Sequence, residues 1–95
     1  MVRLVVIYDI SDDGDRERLA RKLLALGLQR VQKSAFVGVG GAALAKDVAR
    51  AAQPFARGER DSVIVFVVPA SSVRGALVVG RPMAPLEGVV RYAVL

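Results

Sequence analysis

The chain has 95 residues, 54% of them hydrophobic, and 14 Lys and Arg against nine acidic residues give it a net charge of +5. This length predicts one domain, with a core and with apolar surface left for a partner. The absence of cysteine and histidine excludes disulfides, thiolate metal sites, imidazole bases and most zinc sites. Any chemistry must therefore rest on carboxylates, hydroxyls and a hard cation.

The positive charge indicates a nucleic-acid partner, because most of the basic residues are arginines and their guanidinium groups pair bidentately with phosphate. A basic surface that serves solubility alone is the alternative. No window approaches the roughly 20 uninterrupted apolar residues that span a bilayer, and the N-terminus lacks a signal-peptide pattern. We therefore expect a cytoplasmic protein without a membrane partner.

The first strand is predicted over residues 2–8, which are apolar on both faces apart from Arg3. Such a run is typical of a central strand. It ends at Asp9, and Ser11 or Asp12 can cap the helix that follows. The sequence thus places a carboxylate at a strand-to-helix junction, where a metal or a phosphate can bind.

The first helix has an apolar stripe at helical spacing, formed by Leu19, Leu23 and Leu26. Gly27 is placed to end it. On a helical wheel at roughly 100° per residue, Arg16 lies within about 60° of Leu19 and projects from the core-side edge of the first turn. We therefore expect Arg16 to reach back toward Asp9.

The next segments predict more strands and a second helix. Residues 28–39 indicate one kinked strand or two short strands that meet near residues 32–34, and the glycines that follow form a loop without a P-loop ending. The second helix has the apolar stripe Leu44, Val48, Ala52 and Phe55.

The elements after this helix are a turn and two strands. Residues 57–61 form a charged turn, and residues 62–68 form a strand that is stopped by Pro69. Residues 76–79 form a short strand.

This order of elements predicts an α+β fold, a ferredoxin-like βαββαβ sandwich over residues 1–80. Its sheet is antiparallel and both helices lie on one face. Residues 81–95 form a stiff linker and an extra C-terminal strand over residues 88–95. Because such a strand can pair with the edge of a twin subunit, we expect a homodimer.

Asp9 is the first candidate site residue. If a two-fold axis passes near the ends of the first strands, the Asp9 side chains of two subunits converge on one Mg²⁺. The alternative is that Asp9 caps the helix or pairs with Arg16. Three further acids are expected in the first helical turn because the helix dipole favours them there, rather than as a metal cluster: Asp12, Asp13 and Asp15.

Three arginines are candidates for holding phosphates: Arg16, Arg18 and Arg30. A solvated helix face is the alternative for Arg18. Gln32 and Ser34 can position a water or a phosphate oxygen, or else simply satisfy a turn. Lys33 is a further expected nucleic-acid contact, and Phe36 is expected in the core.

Several segments form a joint pattern: Tyr8-Asp9, Arg16 and Arg18 in the helix, Arg30, Gln32-Lys33-Ser34-Ala35-Phe36, the apolar strand after Asp61, and the tethered C-terminal strand. This pattern resembles the CRISPR-associated Cas2 family. The resemblance implies a ferredoxin-like homodimer that acts in CRISPR adaptation, where it bridges subunits of the Cas1 integrase and holds duplex DNA. It also implies a magnesium-dependent nuclease on RNA or duplex DNA, with Asp9 as the metal ligand.

The leading hypothesis is therefore a DNA-binding protein of spacer acquisition that also cleaves RNA or DNA. In its catalytic form, the Asp9 pair holds one Mg²⁺, Arg16 and Arg30 steady the phosphate, and Ser34 joins the site. The alternatives are a DNA-bridging scaffold without catalysis, since the segment after Phe36 begins with Val37 and offers no second carboxylate, and a ferredoxin-like sensor of a small ligand.

Overall fold

The computed structural model describes residues 1–86 and the backbone of residues 92–93. Four strands form an antiparallel sheet: β1 (Val2–Asp9), β2 (Gln29–Gln32), β3 (Ala35–Val39) and β4 (Ser62–Pro69). Their spatial order is β2-β3-β1-β4, so β1 pairs on one edge with β3 and on the other with β4. The prediction that the first strand is central is confirmed.

Two helices, α1 (Asp13–Ala25) and α2 (Ala42–Ala52), cover one face of this sheet. Alternate residues of β1 point into the core between them, and they pack on both helices and on Phe36, which is fully buried. The core comprises Leu4, Val6, Tyr8, Ile10, Leu19, Ala20, Leu23, Leu28, Phe36, Val48 and Ala52. The predicted ferredoxin-like α+β fold is confirmed. Within the described residues, no helix is long and apolar enough to cross a membrane.

The segment over residues 28–39 is two strands, the second of the two alternatives left by the sequence. The turn Lys33–Ser34 joins β2 to β3, and the register of this hairpin shifts between Arg30 and Gln32. The second helix runs on into a 3-10 turn at Gln53–Phe55, so Pro54 alters only its end.

The region after β4 differs from the prediction. A short helix that the sequence did not predict, α3 (Ala70–Arg74), follows Pro69 directly, and the amide of Ala70 donates to the carbonyl of Met1 at 2.9 Å. The strand expected over residues 76–79 is shorter, since β5 covers only Val78–Val79. Proline stops a strand but is compatible with a helix start, which explains the missed turn of helix.

The C-terminal strand was expected over residues 88–95, and the structure describes only β6 (Tyr92–Ala93) of it. That strand pairs in parallel with β5 of the same chain. Residues 87–91 and 94–95 lie outside the described part, so the pairing of the C-terminal strand with a twin subunit stays a prediction.

The second face of the sheet is covered less completely than the helical face. A small cluster of Val31, Val37 and Val73 is buried there, with Leu86 packed against it. On β4, the side chains of Ile64 and Phe66 each remain 46% exposed. The sheet therefore keeps apolar surface at its β4 edge.

Candidate functional site

Asp9 is the last residue of β1, lies opposite Ser62 of β4 and is exposed. Its carboxylate makes no hydrogen bond or ion pair with any residue of the described ranges 1–86 and 92–93. Helix capping, one of its two structural alternatives, belongs to Asp12, whose Oδ2 accepts from the amide of Asp15 at 2.8 Å. The carboxylate of Asp9 is thus available to a ligand.

Arg16 does not pair with Asp9, so the expectation that it reaches this carboxylate is wrong. Its Nη1 donates to the carbonyl of Ile10 at 3.0 Å, and its Nη2 pairs with Asp13. Asp13 lies three residues earlier on the same helix, where side chains are direct neighbours, and this contact outcompetes the longer reach. Arg16 nevertheless lies at the exit of β1, because Ile10 follows Asp9 in the chain.

The β2–β3 turn lies against the end of β1. The amide of Tyr8 donates to the carbonyl of Ser34 at 3.0 Å, and the Tyr8 hydroxyl donates to the carbonyl of Lys33 at 3.4 Å. Burial raises the pKa of Tyr8, so its hydroxyl remains a donor at neutral pH. These bonds bring Lys33 and Ser34 to the same end of the sheet as Asp9.

Arg30 holds this turn in place. Its Nε and Nη2 donate to the carbonyl of Lys33 at 3.0 and 2.6 Å, and Nη2 lies 3.3 Å from a carboxylate oxygen of Glu17. Its guanidinium lies 5.7 Å from the centroid of the Phe36 ring, which in turn stacks on Tyr8. Arg30 therefore links α1 to the hairpin.

Arg18 is occupied by an acidic side chain. Its Nη2 lies 2.9 Å from Oδ1 of Asp15, while Arg57 donates to Oδ2 through Nε at 2.9 Å and Nη2 at 2.7 Å. Asp15 is only 3% exposed, and hydrogen bonds from Arg18 and then Arg57 lower the pKa of its carboxyl.

The acids of the first helical turn thus have structural roles, as the helix-dipole interpretation expected. Asp12 caps the helix, Asp13 pairs with Arg16, and Asp15 pairs with two arginines. The part of the chain that the structure describes contains no group of three or more His, Cys, Asp or Glu side chains that could hold a metal.

Asp61 is an important residue that sequence reasoning assigned only to a charged turn. Its Oδ1 accepts from the amide and the hydroxyl of Ser11, both at 2.9 Å, and its Oδ2 accepts from the amide of Gly58 at 2.7 Å. These bonds, with Ser11 first, lower the pKa of the Asp61 carboxyl. The spacing of Gly58 and Asp61 indicates an Asp-stabilised turn, but nothing local in the sequence indicates the bond to Ser11.

The residues at this end of the sheet fit a hard cation only in part. Magnesium keeps several of its waters and takes one or two carboxylates, so the exposed Asp9 carboxylate is a suitable donor. Among the described residues, three neighbouring acids are engaged by donors of the chain itself: Asp12, Asp13 and Asp61. A site built from two Asp9 carboxylates would need a second copy of the chain.

The family model described as "CRISPR associated protein Cas2" matches residues 1–75. The chain belongs to the Cas2 family. It is 45% identical over 90 residues to a CRISPR-associated endoribonuclease Cas2 of Aeropyrum pernix, and the match covers 95% of this chain and 98% of that one. A crystal structure of Cas2 shares its fold with a TM-score of 0.68 and 27% identity, over 94% of this chain and 98% of the other.

A further relative of Thermoproteus tenax joins two proteins in one chain. It is named a CRISPR-associated endonuclease Cas1/endonuclease Cas2 fusion and is 34% identical over 74 residues, which are 78% of this chain and 28% of the fusion. The predicted family is therefore confirmed, and a Cas1 protein occurs fused to a relative of this Cas2 chain.

Proposed function

We propose that this Cas2 protein acts in CRISPR adaptation, binds duplex DNA together with a Cas1 partner, and hydrolyses phosphodiester bonds of RNA or DNA with a divalent metal ion at Asp9. The observation that carries the proposal is the Asp9 carboxylate, which lies exposed at the end of the central strand with no partner in the described part of the chain. The acids Asp12, Asp13, Asp15 and Asp61 around it are held by donors of the chain, whereas the Asp9 carboxylate is accessible to a ligand.

The proposed metal is Mg²⁺, held by the Asp9 carboxylates of two copies in a homodimer. Two observations support it: the acids nearest to Asp9 in the chain, Asp12 and Asp13, are engaged within the same copy, and β4 carries exposed apolar side chains at Ile64 and Phe66 that a second copy could bury. Bound there, the ion would polarise a phosphodiester oxygen and lower the pKa of a bound water.

The other residues of the site orient the phosphate. Lys33 is exposed and Ser34 is half-buried, and both lie beside the end of β1, so an ammonium and a hydroxyl can contact a phosphodiester near Asp9. Arg16 and Arg30 steady the phosphate with the N–H groups that their bonds inside the chain leave over. Because the chain has no histidine, the proton leaves to solvent or to a carboxylate, and we expect slow cleavage that is faster at higher pH.

The proposed partnership with Cas1 is supported by the Thermoproteus tenax fusion, in which both proteins share one chain. The net charge of +5 favours a nucleic acid as the common ligand, which we propose to be duplex DNA. The linker and C-terminal strand over residues 81–95 are the proposed docking segment, and the complex would work in the cytoplasm, where the DNA is.

A scaffold without catalysis is the second candidate. The side chain of Val37, directly after the core residue Phe36, is buried in the small apolar cluster, so the hairpin brings no acid to Asp9 from this position. In that case Asp9 would have no catalytic role, and the protein would only bridge DNA and Cas1.

The decisive experiment compares cleavage of labelled duplex DNA and single-stranded RNA by the wild type and by Asp9→Asn, each with Mg²⁺ and with EDTA. We expect cleavage that requires Mg²⁺ and falls at least about 100-fold in the variant, since it removes the charge that binds the metal. Asp47→Asn on the outer face of α2 is the matched control, because it removes one exposed carboxylate elsewhere.

Cleavage that survives in Asp9→Asn, or that is equally lost in Asp47→Asn, contradicts the nuclease. If the wild type instead binds duplex DNA and supports integration by Cas1 without cutting, the scaffold is the function.

A further inference from the structure

The turn over residues 57–61, here called the clamp turn, is fastened at one end to the segment between β1 and α1 and at the other end to the first turn of α1. At its C-terminal end, the Asp61 carboxylate accepts both the amide and the hydroxyl of Ser11. At its N-terminal end, Arg57 donates two bonds to the buried carboxylate of Asp15. The turn therefore spans the start of the helix like a staple.

The clamp turn is itself closed by side-chain bonds. Asp61 Oδ2 accepts from the amide of Gly58 at 2.7 Å, and the amide of Asp61 donates to the carbonyl of Gly58 at 3.1 Å. Directly after it, Ser62 pairs with Asp9 in the ladder between β1 and β4. Asp61 thus bonds Ser11, which lies two positions after Asp9, while its neighbour Ser62 is the residue opposite Asp9 in the ladder.

We propose that the clamp turn positions Asp9, with Asp61 and Arg57 as positioning residues that contact neither metal nor substrate. The inference rests on the proposed function, since it assigns these residues to the metal site at Asp9. Ladder hydrogen bonds hold only one side of the strand end, and the chain then leaves the sheet. The bonds to Ser11 and Asp15 set the direction of that exit, and with it the place of the Asp9 carboxylate.

Positioning is important here because a shared metal site tolerates little displacement. A shift of about 1 Å at a reacting centre can cost about 100-fold in rate. Loss of the Asp61 bonds would loosen the chain after Asp9 but would leave the hydrogen bonds between β1 and β4 in place. We therefore expect a smaller effect, a fall of about 10-fold in kcat. Binding of the nucleic acid depends on charge spread over the surface, so KM should change less than about two-fold.

The test uses the full chain with Asp61→Asn, which keeps the size of the side chain but replaces one acceptor oxygen by a donor. Glu59→Gln is the matched control, because Glu59 is exposed in the same turn and makes no bond in the described residues. Ser11→Ala removes one of the three bonds to Asp61 and should give a smaller loss. We measure kcat and KM at a temperature at which all variants are folded, and amide hydrogen exchange at Asp9 and Ser11.

We expect Asp61→Asn to lower kcat about 10-fold, Ser11→Ala less, and Glu59→Gln not at all, with faster exchange at Asp9 and Ser11 in Asp61→Asn. A kcat equal to that of Glu59→Gln overturns the proposal. So does faster exchange throughout β1 with kcat and KM changed alike, which would indicate general destabilisation.

The proposal and the nuclease can fail separately. If the wild type shows no cleavage that depends on Asp9, the proposed nuclease activity is wrong. Amide hydrogen exchange alone then tests whether the clamp turn positions Asp9. Faster exchange confined to Asp9 and Ser11 in Asp61→Asn then supports it, and unchanged exchange overturns it.

Discussion

Asp9 and Asp15 lie six residues apart, and their surroundings are opposite. Asp15 is 3% exposed and is bound by two arginines, whereas Asp9 is exposed at the end of β1 and has no partner in the described part of the chain. Folding has placed the Asp15 carboxylate where it joins the helix to the turn of Arg57 and has left the Asp9 carboxylate at the end of the central strand. Of the two, only the Asp9 carboxylate is accessible to a ligand.

The cations of the same region divide in the same way. Arg18 and Arg57 hold Asp15, and Arg30 holds the Lys33 carbonyl and Glu17. The ammonium group of Lys33 forms no ion pair within residues 1–86. Asp9 and Lys33, whose side chains have no ion-pair partner among the described residues, lie at the same end of the sheet, and the order of residues in the sequence does not show this placement.

The largest expected effect is a difference in thermal stability between the variants of Asp15 and Asp9. Asp15→Asn removes the acceptor that two guanidinium groups share, so we expect the Tm to fall by more than about 5 °C. Asp9→Asn should leave the Tm unchanged or slightly higher, because it removes a charge that has no partner among the described residues. Thermal unfolding followed by circular dichroism measures both variants, with Asp47→Asn as the control for an exposed acid.

An equal loss of Tm in Asp9→Asn and Asp15→Asn would break the comparison. It would mean that Asp9 has a stabilising partner, such as the second copy, and unfolding at several protein concentrations would then show a Tm that rises with concentration.

The next effect is on the pH dependence of stability. The pKa values of Asp15, Asp61 and Glu17 are lowered in the folded chain by their arginine and amide donors. A lowered pKa means that the unfolded chain binds protons first, so these carboxylates stabilise the fold above their unfolded pKa of about 4. That stabilisation is lost as the pH falls below about 4 and through the folded values.

We therefore expect the free energy of unfolding to fall steeply from about pH 4 downward and to fall less steeply in Asp15→Asn, which has one such group fewer. Urea unfolding at constant ionic strength between about pH 2 and pH 6 measures this slope. A slope that Asp15→Asn leaves unchanged would show that the arginine pairs of Asp15 do not stabilise its charged form.

The spacing of apolar residues, together with the residues that end helices and strands, was sufficient to predict most of the fold. The apolar run before Asp9, the leucine stripe of α1 and the apolar run before Pro69 are local patterns, and the elements they predict are present. The short helix α3 was missed because Pro69 ends a strand and begins a helix equally well.

The contacts of the site were less predictable, because they join residues that are distant in the chain. Arg57 and Asp15 are 42 residues apart, and Asp61 and Ser11 are 50 apart. A helical wheel gave the side of α1 on which Arg16 lies, but it could not show that Asp13 and the carbonyl of Ile10 are nearer partners than Asp9. The competition among such nearby partners decides which charged side chains remain without one.

The smallest effect tests whether Lys33 contacts nucleic acid. Lys33→Gln should weaken binding of duplex DNA a few-fold, equally for different sequences, and should reduce the slope of log K against log salt concentration by about 1, because one phosphate contact and its released counterion are lost. Lys46→Gln is the matched control, since Lys46 is an exposed lysine of α2, on the helical face of the sheet. If both variants lower the slope equally, DNA follows the overall charge of the protein. If only Lys33→Gln lowers it, DNA crosses the end of the sheet, within reach of Asp9.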